Sequence, residues 1–201
     1  MSNRPVITVA TANLHKLSEL GTLFGPEWAL LPAPPDTNFP PENGNSYLEN
    51  ALIKARAVAP HLNGWILGDD SGLEVDALGG LPGIISARFS GPEATSLENC
   101  HALLKELKGV ENRSARFRSV LVLVEGGSGK LLATSEGVIE GRMTKGLLGE
   151  GGFGYDPLFI PEKYQVTFGI LPASVKNAIS HRARAVMDMI PKLKLLLGGV
   201  S

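Results

Sequence analysis

The chain has 201 residues, 43% of them hydrophobic, which is enough apolar material to bury either one large core or two small lobes in a soluble globular protein. A formal net charge of −1 excludes the bulk positive field that draws proteins to DNA, RNA polymers or anionic membrane, so any nucleic-acid component it takes is expected to be small and locally bound. Cys100 is the sole cysteine, which rules out an intramolecular disulfide and a clustered Cys/His zinc site, and no apolar run approaches the about 18 residues of a membrane span. A reducing cytoplasm is the expected compartment.

In chain order, "VITVATA" (6–12) is short and β-branched and reads as a first strand rather than a signal peptide. "LHKLSELGTLF" (14–24) follows with leucines at 14, 17 and 20 and Phe24, a helical stripe, so strand passes into helix around Asn13. "WALLP" (28–32) reads as a second strand, after which five prolines between 32 and 41 exclude regular structure and leave a long loop. Ser46 and Glu49 have capping-box spacing at the head of "SYLENALIKARAVAP", a helix that stops at Pro60. "WILGD" is the next strand, ending at the paired acids Asp69 and Asp70. Thr95 and Glu98 cap the helix "TSLENCHALLKELKG". "RFRSVLVLVE" and "KLLATSEGVIEG" flank "GGSG" as a hairpin. The glycine loop "GLLGEGGFGYDPLFI" precedes one closing helix, "SVKNAISHRARAVMDMIPKLKLLL", with a kink before Pro191. Strands alternating with helices around one hairpin, with no repeat or interdomain linker, predict a mixed α/β sheet flanked by helices.

Asp69 and Asp70 raise the sharpest question. Neighbouring side chains on a strand point to opposite faces, so placement at a strand end, where ligand crevices of α/β sheets lie, is the expectation for two adjacent acids. There they suit Mg²⁺, which takes a few carboxylates plus water and phosphate oxygens; the alternative is a plain Asp turn with Ser71 and Gly72. "TANLHK" runs from strand to helix N-terminus, where unpaired N–H groups favour an anion, and Lys16 opposes the helix dipole unless an anion offsets it; a solvated lysine is the alternative. Lys54 lies at the margin of its helix's apolar stripe, to snorkel or to reach a cleft. Glu42 is either a surface charge or an additional oxygen donor for a metal. In "GEGGFGYDP" the glycines admit close backbone approach, and Phe153 and Tyr155 offer ring faces to a base or plug a turn. His181 and Arg182 supply donors of the kind that read a purine carbonyl, or form a solvated helix face.

Other schemes fit poorly. Ser71 lies in "DDSG" rather than G-x-S-x-G, and Cys100 beside His101 on a helix points about 100° away from it. The first strand-to-helix turn lacks both the P-loop and the G-x-G-x-x-G spacing.

Taken together, "TANLHK", "ENGNSYLENALIKA", "DDSGLEVDALGGLPGIISARFSG", "GGFGYDPLF" and "KNAISHRARA" resemble, over nearly the whole chain, the inosine triphosphate pyrophosphatase family. The resemblance implies a single domain over 1–201 with two lobes, an elongated mixed sheet flanked by helices, an active-site cleft between the lobes, and a homodimer. It implies hydrolysis of ITP, dITP and XTP to the monophosphate and pyrophosphate with Mg²⁺, a cleaning of the nucleotide pool. By the same resemblance Thr11, Asn13, Lys16 and Lys54 meet the triphosphate, Glu42 and Asp70 hold the metal, Asp70 is the proton acceptor and Ser71 contacts substrate. Phe153, Gly154, Tyr155, Asp156, Lys176, His181 and Arg182 enclose nucleotide and base. The competing functions are a purine nucleotide sensor without catalysis and a pyrophosphatase for modified pyrimidine nucleotides.

Overall fold

The computed structural model describes residues 4–198, which form two compact units. The first comprises 4–70, Ser119–Gly137 and 182–198; the second comprises Ser71–Arg118 and Val138–His181. One six-stranded sheet has the order β2-β1-β3-β4-β5-β6. Its strands are β1 (Val6–Ala10), β2 (Ala29–Pro32), β3 (Trp65–Val75), β4 (Ser114–Glu125), β5 (Leu131–Met143) and β6 (Phe159–Pro161). The sheet is mixed as expected: β1 runs parallel to β2 and β3, whereas β5 and β6 are antiparallel. Five residues join β4 to β5, and Glu125 N–H donates to Lys130 O at 2.9 Å, which closes the expected hairpin.

In the first unit the pleat sorts side chains onto two faces. Ile7, Val9, Leu67, Leu121 and Leu123 pack with Leu20 and Phe24 of α1 (Leu14–Phe24) and with Ala185, Val186, Met189 and Leu193 of α5 (His181–Gly198). Ala10, Ile66, Val122 and Val124 project to the other face, against Ala51, Ala55 and Val58 of α2 (Tyr47–Val58). Each fully buried leucine, isoleucine or valine on these faces contributes about 1.5–3 kcal/mol. The alanines of α2 let it lie close to the sheet, and Gly68 completes the fit, because a Cβ there would collide with the carbonyl oxygen of Ala51. Both helices start on side-chain caps, Asn13 for α1 and Ser46 for α2. Glu49 takes the N–H of Asn45 at 2.6 Å, one residue before the cap, so the expected capping box at α2 is displaced by a residue.

In the second unit one sheet face is apolar and the other charged. Leu73, Val75, Ala115, Phe117 and Ile139 turn inward onto Leu103 and Leu107, around α3 (Ser96–Glu106), and onto Phe159 and Phe168. The alternate residues turn outward, where Arg118 Nε donates to Glu74 at 2.8 Å and Arg116 Nε donates to Glu140 at 3.0 Å. The Thr95–Glu98 capping box starts α3 as its spacing predicts.

Two expectations are corrected. Strand β3 does not end at the paired acids but continues to Val75, so Asp69 and Asp70 lie in mid-strand. The closing helix is two helices, α4 (Ala173–Ile179) and α5, because Ser180 takes an extended conformation at ψ 161°, and Pro191 is accommodated inside α5. Among the described residues no helix is long and apolar enough to cross a membrane.

Candidate active site

The pleat of β3 answers the question the paired acids raise. Asp69 shares the parity of Leu67 and faces α1 and α5; Asp70 shares the parity of Ile66 and faces α2. A buried carboxylate is costly unless cations and donors surround it, and each face supplies its own. Asp69, wholly buried, receives Lys16 Nζ from α1 at 2.9 Å and Arg182 Nη2 from α5 at 3.4 Å, both on Oδ2. Ser119 Oγ, on β4, donates to Oδ1 at 2.9 Å. Arg182 also donates through Nη1 to Glu19 of α1. Asp70, 4% exposed, accepts from Lys54 Nζ of α2 at 3.0 Å on Oδ1, and the same ammonium lies 2.9 Å from Glu42 Oε1. The long proline loop thus delivers Glu42 to Lys54, while Asp70 Oδ2 is buried without a hydrogen-bond partner.

These surroundings split the proton affinities of two neighbouring acids. Burial alone would raise Asp69, but Lys16, then Arg182 and Lys54, overcome it and hold the carboxyl well below the usual range. Burial raises Asp70 and wins, with Glu42 adding to it against the pull of Lys54 and Lys16. Lys16 is lowered, chiefly by burial, whereas Lys54 is raised because Asp70 and Glu42 outweigh its burial. Asp69 is therefore a fixed anion, and Asp70 the more basic of the two. Such divergence is a mark of acid–base sites.

The turn ahead of α1 is closed by its own side chains. Thr11 Oγ1 accepts from Asn13 N–H at 3.1 Å, and Asn13 Oδ1 accepts from the N–H groups of His15 at 2.9 Å and Lys16 at 3.2 Å. Two of the N–H groups expected to greet an anion are thus taken up by the cap. The positive charge at this turn comes from Lys16 itself, whose half-buried side chain is directed to Asp69. Lys54, expected at the margin of a stripe, is buried.

The second unit gathers Phe153, Asp156 and Lys176. Lys176 Nζ, on α4, pairs with Asp156 Oδ2, which also accepts from Phe153 N–H at 2.8 Å, and Lys176 Nζ lies 4.8 Å from the centre of the Phe153 ring. Gly152, at φ 72°, lets the loop fold onto Asp156, since a Cβ there would strike that carboxylate. Gly154 is also left-handed, at φ 61°, and its carbonyl accepts from Cys100 Sγ at 3.3 Å. The ring of Tyr155, expected either to offer a face to a base or to plug the turn, is buried in the core with its hydroxyl donating to Ser86 O at 2.8 Å. His181 stacks on Phe117 at 4.8 Å between centroids. Ser71, half-buried, follows Asp70 directly on β3.

Sequence reasoning missed Glu19, Ser119 and Ser86. Glu19 carried a signal, an acid three residues after Lys16 on one helix; Ser119, a lone hydroxyl in the apolar run "SVLVLV", carried another.

Among the described residues no three or more His, Cys, Asp or Glu side chains cluster as a metal cage. The donor set nevertheless fits Mg²⁺, which binds through one or two carboxylates with water and phosphate completing its shell: Asp70 has an unsatisfied oxygen, and Glu42 shares its lysine.

Known proteins resemble this chain over nearly its whole length. A dITP/XTP pyrophosphatase of Methylococcus capsulatus is 42% identical, covering 98% of this chain and all of its own length, and one from a Nostoc species is 40% identical, covering 96% of each. Among solved structures, a HAM1 protein of Coxiella burnetii superposes with a TM-score of 0.84 at 35% identity, covering 94% of this chain and 98% of its own. The Staphylococcus aureus Ham1 protein gives 0.81 at 34% identity, covering 98% of this chain and 100% of its own. The model of the Ham1 family matches residues 7–192, and the chain belongs to that family.

Proposed function

We propose that the protein is a nucleoside-triphosphate pyrophosphatase that hydrolyses the non-canonical purine nucleotides ITP, dITP and XTP to the monophosphate and pyrophosphate, clearing them from the nucleotide pool. The observation that carries this reading is Asp70: a buried, comparatively basic carboxylate with one oxygen on Lys54 and the other without a partner.

Water attacks one phosphorus of the α–β anhydride, the bond from that phosphorus to the bridging oxygen breaks, and the fragment on the other side leaves with the bond electrons, giving the monophosphate and pyrophosphate. Asp70 Oδ2 takes the proton from the water, and Lys54 fixes the carboxylate through Oδ1 so that the lone pair is already aimed. Lys16 and Lys54 bind the polyphosphate charge, and Thr11 and Asn13 hold the turn that presents Lys16. Glu42 and Asp70 would hold Mg²⁺, which when bound would supply further positive charge against the phosphate oxygens. Ser71, beside Asp70, contacts the substrate.

Base selection falls to the remaining expected residues. Phe153 supplies a ring face, Gly154 lets the backbone approach closely, and Tyr155 fixes the loop from behind. Asp156 and Lys176 help enclose the nucleotide, and His181 and Arg182 present donors toward a 6-oxo purine. Adenine, with an amino group at that position, would leave their donors unpaired. Arg182 contributes from a guanidinium already held by Glu19 and Asp69, which restricts the directions in which it can donate. A cytoplasmic homodimer completes this reading.

Pyrophosphate release from ITP, XTP, dITP, GTP, ATP and a modified pyrimidine triphosphate, with Mg²⁺ and with EDTA, tests it. Guanine also carries the 6-oxygen, so its rejection requires a block at its 2-amino group; metal-dependent release from ITP, XTP and dITP, and hardly from GTP or ATP, is the expected result. Tight binding without release would favour a sensor, and preferential pyrimidine cleavage would replace the purine assignment.

A further inference from the structure

Ser119 is a wholly buried hydroxyl in the stretch of β4 that otherwise builds the apolar layers of the first unit. A serine there gains little by apolar burial, and its hydroxyl costs free energy unless a partner satisfies it. The partner is Asp69 Oδ1, 2.9 Å away. The other oxygen, Oδ2, receives Lys16 and Arg182. The carboxylate is thus divided: a neutral donor holds one oxygen, and that fixes the rotation at which the second meets both cations.

Ser119 does not touch Lys16, so any influence on that ammonium passes through Asp69. Asp69 alone, pulled by two cations on Oδ2, has a soft terminal torsion and two equivalent oxygens to exchange. Pinning Oδ1 removes that freedom. The ammonium of Lys16, otherwise the end of a flexible four-carbon stem, then has one location.

From this arrangement we infer that Ser119 is a positioning residue for polyphosphate binding, acting through Asp69 to pre-set Lys16 before substrate arrives. The inference rests on the pyrophosphatase reading, in which Lys16 binds phosphate. Lys16 meets that charge in ground state and transition state alike, so loss of its positioning weakens binding rather than the chemical step. A hydrogen bond to a charged group is among the stronger ones, and losing its ordering effect should raise KM by about tenfold with kcat within about twofold.

The experiment compares wild type, Ser119→Ala and Ser119→Thr. Steady-state kinetics with ITP are read beside calorimetric binding of an ITP analogue carrying a non-hydrolysable α–β bridge and beside thermal melts. The expected result is an about tenfold rise in both KM and analogue Kd for Ser119→Ala, with kcat retained and near-wild-type constants for Ser119→Thr. Unchanged KM and Kd in Ser119→Ala would overturn the inference. So would a fall in kcat that merely follows the folded fraction, or a threonine variant as weak as alanine. A wild-type protein that binds the analogue but releases no pyrophosphate defeats the enzymatic reading instead, and the Kd comparison still decides the role of Ser119.

Discussion

Replacing each of the paired aspartates by asparagine separates structural from chemical charge. In Asp69→Asn the carboxylate between Lys16 and Arg182 becomes an amide. Its oxygen can still accept from Ser119 or from one cation, but its NH₂ then confronts the other donors. Removing one partner of a buried ion pair costs about 3–5 kcal/mol. Two features favour the lower end: Arg182 retains Glu19, and the Lys16 side chain, 14% exposed, can turn toward water. A loss of about 3 kcal/mol lowers Tm by about 6–12 °C in a chain of this size. Asp70→Asn should differ, because burial already disfavours the charge on Asp70 and Lys54 keeps Glu42 when that charge is gone. Its cost should stay within about 1 kcal/mol. Urea unfolding midpoints, with m-values checked for constancy, measure both. The acid limb offers a second reading. Asp69 titrates lower in the folded than in the unfolded state, so at acid pH the unfolded chain binds more protons and wild-type stability falls as pH drops below about 4. Asp69→Asn should show a shallower decline there. Equal costs for the two variants, or an Asp69→Asn protein as stable as wild type, would refute the assignment of separate roles to the two faces of β3.

Asp70→Asn should instead lower kcat by about 10²- to 10⁴-fold, the usual contribution of a general base, measured as pyrophosphate release at saturating ITP; near-normal turnover would remove Asp70 from the mechanism. Lys54→Met removes a cation that holds Asp70 down and leaves Glu42 beside it, so Asp70 should stay protonated to higher pH. The acid limb of the kcat/KM profile should accordingly move to higher pH, and an unmoved limb would break the link between the two residues. Cys100 is buried and its thiol is pushed up to about 11, chiefly by burial with Asp156 adding. At pH 8 it should resist alkylation in the folded protein and react on unfolding; rapid labelling of folded protein would contradict its placement.

The alternation that made strands and helices legible also limited what the sequence could say about the site. Helix starts at Asn13, Ser46 and Thr95 were readable because capping is local chemistry, completed within three residues. The extent of β3 was not, since Asp69, Asp70 and Ser71 are poor strand formers in isolation. What keeps them extended is tertiary: Lys16, Lys54 and Arg182 neutralise the acids from other elements, and Ser119 donates a hydrogen bond to Asp69. Ser119 lies 50 residues from Asp69, and Glu19 lies 163 residues from Arg182, so no window along the chain reveals either pairing. Tyr155 shows the converse limit. An aromatic in a glycine run reads as an exposed ring or as a plug, and its environment was decided by core residues such as Leu103 and Phe117 and by the carbonyl of Ser86.

The backbone of β3 acts as a partition between two electrostatic compartments. Substitutions on α1 or α5 remove direct contacts of Asp69, and substitutions on α2 or the proline loop remove direct contacts of Asp70, while Lys16 and Lys54 each also act on the acid across the strand. Two residues adjacent in the chain therefore meet separate sets of partners, and a change on one face reaches the other acid through its field rather than through a contact.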